Sequence, residues 1–113
     1  MSAGIYKYND TGTALMNFRT AVPASKHYRL VSVTLHLNTA PTTSEDFTIT
    51  LDSHAGAIFD TLLYTLDLSA ASVTDLVWQP DEEIFLEGDD AIVIAYDNTD
   101  VRNYGVQLTM KAV

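Results

Sequence analysis

The segment Tyr28–Asn38, YRLVSVTLHLN, decides the fold. Val31, Val33, Leu35 and Leu37 fall on one side of an extended chain, and Ser32, Thr34, His36 and Asn38 on the other. Successive side chains of a strand point to opposite faces, so this alternation predicts a strand with one face buried. The same pattern recurs in both directions. In FTITLD, Phe47, Ile49 and Leu51 oppose Thr48, Thr50 and Asp52. In YGVQLTMKA, Tyr104, Val106, Leu108 and Met110 face inward, with Gln107, Thr109 and Lys111 outward. DAIVIAY carries Ile92, Ile94 and Tyr96 on one face and Ala91, Val93 and Ala95 on the other. Two apolar faces predict a central strand, covered on both sides or lying at a subunit contact. SVTDLVW (Ser72–Trp78) alternates less cleanly, and TGTALMNFRTAV (Thr11–Val22) reads as an early strand.

Turn residues separate these runs. NTAPTTSED and DNTDVRN are loops rich in Pro, Thr, Ser, Asn and Asp. Gly56 in DSHAGA sits where a positive φ is expected. LEGDDA, with Glu87-Gly88-Asp89 between EIFL and AIVIAY, carries a hairpin signal. DLSAASVTDL has room for one helical turn, capped by Asp67 or Ser69. The total is seven to nine strands in a single domain over residues 1–113, with residues 1–28 either an N-terminal arm or the first strands. One sheet would leave an apolar face bare, so two must pack together. The expected fold is an all-β, antiparallel β-sandwich of jelly-roll type. The Cys…Trp…Cys framework of an immunoglobulin domain is absent.

Length and charge narrow the function. A chain of 113 residues buries roughly 65% of its unfolded surface, enough for one core. With no Cys, disulfides and thiolate metal sites are excluded. No apolar run approaches the ~20 residues of a membrane-spanning helix. Net charge is -9. Between Leu30 and Val101 there are fourteen acidic residues and no Lys or Arg. Such a surface repels phosphate backbones and anionic lipid, which argues against nucleic-acid and membrane partners. The basic residues include Lys7, Arg19, Lys26 and Arg29 in the first 29 positions, so that segment is suited to an acidic neighbour, including a second copy of the chain.

Gln79–Asp100, QPDEEIFLEGDDAIVIAYDNTD, holds eight of the carboxylates. They fall at strand ends, where Asp and Gly satisfy turn geometry. Clustered turn carboxylates also suit calcium, and Asp97, Asn98 and Asp100 are the candidate ligands. The histidines His27, His36 and His54 show no metal-ligand spacing. Asp52-Ser53-His54 has triad residue types, but neighbours in one turn cannot form a triad with each other. No phosphate-binding glycine motif is present, and no cofactor is expected. Tyr64, Tyr96 and Tyr104 read as core aromatics. Tyr6 and Tyr8 alternate around Lys7; with Arg19 these are the candidate partner-contact residues.

Across Val31–Leu108, the elements FTITLDSHAG, TLDLSAASVTDLVW, LEGDDAIVIAYDNTD and YGVQL resemble small proteins encoded among tailed-bacteriophage and prophage structural genes. The resemblance implies a non-enzymatic virion protein: a capsid decoration or cement protein, or a small tail or fibre component. Such proteins are commonly β-sandwiches that assemble as trimers, so it implies self-association, the phage capsid protein as partner, and a place in the virion. No catalytic residues come with it. A carbohydrate- or receptor-binding β-sandwich module is the alternative, and it predicts exposed Tyr or Trp on one face or loop end.

Overall fold

The computed structural model describes residues 4–113; the first three residues of the candidate arm lie outside the described residues. Nine strands follow in order. They are β1 (Ile5–Gly12), β2 (Met16–Ala21), β3 (His27–Leu37), β4 (Asp46–Asp52), β5 (Thr61–Asp67), β6 (Asp75–Trp78), β7 (Phe85–Glu87), β8 (Ala91–Tyr96) and β9 (Tyr104–Ala112). A 3-10 turn at Ala57–Phe59 is the only helical element among the described residues. It follows Gly56, whose φ of 133° excludes most side chains.

The first sheet runs β1-β9-β3-β6, and β7 also pairs with β3. β6 covers Val33–His36 of β3 and β7 covers His27–Arg29, so the two short strands lie end to end along one side of it. The second sheet runs β2-β8-β4-β5. Every pairing is antiparallel. Only β4–β5 is a hairpin within a sheet. Six connections cross from one sheet to the other, the arrangement of a jelly roll. The chain ends meet: β1 pairs with β9 along its whole length, and Ala112 N donates to Gly4 O at 2.9 Å.

The core lies between the sheets. Leu30, Val33, Leu35, Leu37, Val106, Leu108 and Met110 descend from the first, and Met16, Phe47, Ile49, Ile92, Ile94 and Tyr96 rise from the second. Each fully buried large apolar side chain contributes roughly 1.5–3 kcal/mol.

Two expectations are corrected. Val31 does not share the core face, because the β3–β9 register shifts between Leu30 and Ser32. The bulge pushes Val31 outward and turns Tyr28 and Leu30 in. LEGDDA is not a hairpin: β7 belongs to the first sheet and β8 to the second. DLSAASVTDL holds the single turn expected of it: Ala71 N donates to Asp67 O at 3.2 Å, and the Asp67 carboxylate caps the turn, accepting from Ser69 N at 3.0 Å and Ala70 N at 3.2 Å. β8 is central to its sheet, as its two apolar faces predict, and its Val93 and Ala95 face is half-buried. Residues 5–21 supply two strands, β1 at the edge of one sheet and β2 at the edge of the other.

Candidate functional site

The outer face of the first sheet carries a groove that the register explains. Thr11, Gly105, His36 and Asp75 form one row across β1, β9, β3 and β6. Asn9, Gln107, Thr34 and Val77 form the next. Every position but Gly105 raises a side chain, so the face is dished there, with a volume of about 510 Å³. Its walls are Asn9, Thr11, Thr34, His36 and Gln107. His36 Nδ1 lies 2.7 Å from Asp75 Oδ1, which orients the ring and leaves Nε2 for other partners.

A second cleft, of about 550 Å³, opens on the flank between β5 and β6. Its floor is Tyr64 and Trp78, with ring centroids 5.7 Å apart at 33°. Its rim is Pro80, Asp81, Glu82 and Glu83, and these three carboxylates are exposed. The rim exists because β6 and β7 part where β3 bulges. Leu30 N then donates to Ile84 O at 2.9 Å, beyond the excursion. Half-buried Tyr64 and Trp78 are the aromatics closest to a platform; Tyr96 and Tyr104 are core residues.

The candidate calcium residues have other work. Asn98 is 3% exposed. Its amide donates to Ala14 O and Arg102 O, both at 3.0 Å, and accepts from Arg102 N at 2.9 Å. Asp100 accepts from the Thr43 hydroxyl at 2.7 Å and from the backbone N–H of Thr43 and Thr42, each at 2.8 Å. These bonds hold its carboxyl at a pKa of about 2. Asp97 is exposed. Among the described residues, no group of three or more His, Asp or Glu is placed to hold a metal ion.

The four candidate contact residues do not form one surface. Tyr6 is 41% exposed and stacks on Tyr28, ring centroids 4.9 Å apart. Tyr8 packs against the core. Lys7 is exposed on the outer face of the first sheet, in register with Thr109. Arg19 lies on the outer face of the second sheet and pairs with Asp52 at 3.1 Å. No local motif links His54 to Asp90, whose side chains meet at 2.8 Å. They are 36 positions apart, and only the folded corner brings them together.

No protein-family model matches the chain, and no curated protein matches it. The fold has solved counterparts. One is a chain in the acid-stable capsid structure of Helicobacter pylori bacteriophage KHP30, with a TM-score of 0.53 and 14% identity. The match covers 97% of this chain and 94% of that one, so the two are of closely similar length. A chain of infectious bursal disease virus aligns at a TM-score of only 0.27 and 7% identity, over 99% of this chain and 40% of that one. The first match extends the jelly-roll assignment from end to end; the second adds nothing to it.

Proposed function

We propose that this chain is a non-enzymatic structural protein of a bacteriophage virion, a capsid decoration or cement protein that stabilises the shell by bridging neighbouring capsid subunits. The observation that carries the reading is the end-to-end structural match to a chain of a phage capsid. It agrees with the resemblance of Val31–Leu108 to phage structural proteins.

The loops at one end of the sandwich support it. Asp100 ties β8–β9 to Thr42 and Thr43, Glu45 accepts from Thr99, and Asn103 N donates to Asn38 Oδ1. Loops fixed before docking lose less entropy on binding than mobile ones. A homotrimer is the assembly we propose. Repetition by symmetry turns many weak contacts with the shell into stable attachment. Unlike charges, segregated between the N-terminal strands and the acidic remainder, favour contact between copies.

Virions purified from the source that encodes the chain test the proposal. Quantitative mass spectrometry is expected to find the protein in a fixed ratio to the main shell subunit. Its absence from the particles would sink the reading. Light scattering of the isolated protein over a concentration range tests the trimer separately, and a monomer bound stoichiometrically to particles would remove only that part.

A further inference from the structure

Gly105 is the second residue of β9, yet it is already paired on both sides, with Thr11 of β1 and His36 of β3. Glycine there weakens a strand, since it orders more backbone freedom and packs no side chain. Two ordinary reasons for keeping it are absent. Its φ lies outside the left-handed region that only glycine tolerates well. A Cβ built on it meets nothing within 4 Å, whereas one on Gly88 would strike backbone. Neither the backbone nor the packing of this chain requires glycine at 105. The register carries no bulge at Gly105, which leaves close approach by something from outside.

The walls say what kind of molecule fits. Asn9, Thr11, Thr34 and Gln107 are neutral and offer both donors and acceptors. His36 adds an Nε2 whose ring is held by Asp75. The Asp10 carboxylate beside the groove accepts from the Tyr104 hydroxyl at 3.2 Å. In a chain of net charge -9, four of the groove's side chains are neutral hydrogen-bonding groups, with the Asp10 and Asp75 carboxylates turned to Tyr104 and His36. A volume of about 510 Å³ lies within the roughly 300–1,000 Å³ of small-ligand sites.

We propose that the groove over Gly105 binds a neutral saccharide of roughly two or three rings. The sugar lies on the bare backbone of β9, and its hydroxyls bond to Asn9, Thr11, Thr34, His36 and Gln107. The groove is open and has no aromatic floor, so one site binds with a Kd on the order of millimolar. Several copies on one assembly raise the avidity. This site stands independently of the virion reading.

The test is an amide NMR titration of the ¹⁵N-labelled full chain with lactose, maltotriose and triacetylchitotriose, to concentrations on the order of ten millimolar. At least one of these is expected to shift the Thr11, Thr34, His36, Gly105 and Gln107 signals saturably. Gly105→Val fills the groove and is expected to weaken binding about tenfold or more without lowering Tm. His36→Ala and Gln107→Ala, at exposed positions, are expected to weaken it with an unchanged spectrum elsewhere. Silence from all three sugars overturns the proposal. So does Gly105→Val binding as well as wild type, or melting lower, which would make Gly105 a structural glycine. A change in oligomeric mass in Gly105→Val, with the sugars silent, would instead make the groove a seat for a protein side chain.

Discussion

His54 Nδ1 lies 2.8 Å from Asp90 Oδ1, and the same oxygen accepts the His54 backbone N–H at 3.0 Å. Asp90 Oδ2 accepts Glu87 N at 2.9 Å, and Asp90 is only 8% exposed. One carboxylate therefore joins the β4–β5 hairpin to the β7–β8 connection. The Asp90 carbonyl accepts from Val22 N at 2.8 Å and brings in the β2–β3 connection as well.

This corner makes stability depend on pH. The bond to Asp90 is the main reason the His54 pKa lies above its ordinary 6.5. Burial pushes the Asp90 carboxyl up, but the bonds from His54 and from the Glu87 and His54 backbone outweigh it, leaving it below 3.8. The histidine contribution is complete below about pH 6.5 and is lost as pH rises through the raised value. The aspartate contribution is present above about pH 3.8 and is lost as pH falls through the lowered value. Thermal melts of wild type and His54→Ala are expected to differ most between those limits and to converge on the alkaline side. A difference that does not change with pH would mean that His54 acts by packing alone.

Asp100 gives a prediction with a value. Thr43 and Thr42 hold its carboxyl near pKa 2, so its bonds persist well below the ordinary 3.8. Their contribution to stability is complete above about pH 3.8 and is lost as pH falls from there through about 2. The amide proton shifts of Thr42 and Thr43 are expected to titrate with a midpoint near that value. A midpoint close to 3.8 would show that the loop bonds are not formed in solution.

Asn98 combines burial, three hydrogen bonds and a φ of 56°. Asn98→Ala strands the Ala14 and Arg102 backbone groups and keeps the left-handed strain. It is expected to cost about 2–4 kcal/mol in urea denaturation. Asn98→Gly removes the strain and not the lost bonds, so it should recover roughly 1 kcal/mol of that. Equal midpoints for the two variants would show that strain contributes nothing there.

Gly88 differs from Gly105 in the same measurement. A Cβ at Gly88 would sit 2.8 Å from Ser25 N and 3.0 Å from Pro23 O. Both are backbone atoms of the β2–β3 connection, which Val22 and Asp90 anchor. Gly88→Ala is expected to cost about 1–3 kcal/mol, the range for overpacking. An unchanged denaturation midpoint would show that the corner yields freely.

The two-sheet architecture was legible because burial imposes period two, and β4, β8 and β9 keep that period over their buried residues. β3 was legible only in part. Its bulge at Val31 answers to the gap between β6 and β7, a match of distant segments that local alternation cannot encode. LEGDDA carries ordinary turn residues, and these serve a corner between sheets as well as a hairpin. The roles of Asn98 and Asp100 were hidden for a related reason: a carboxylate or amide that caps a neighbouring loop has the same local signature as a cation ligand. The groove over Gly105 needed the register, because its walls come from β1, β3 and β9.

The pairing of β1 with β9 bears on how the chain folds. β1 finds its sheet partner in β9, so that ladder closes across all the intervening strands. Topologies built on such non-local pairings fold slowly. The Gly4–Ala112 bond also means that a short linker can join the two ends. A circular permutant opened in the exposed Gln79–Glu83 excursion is then expected to fold, with β9 feeding directly into β1.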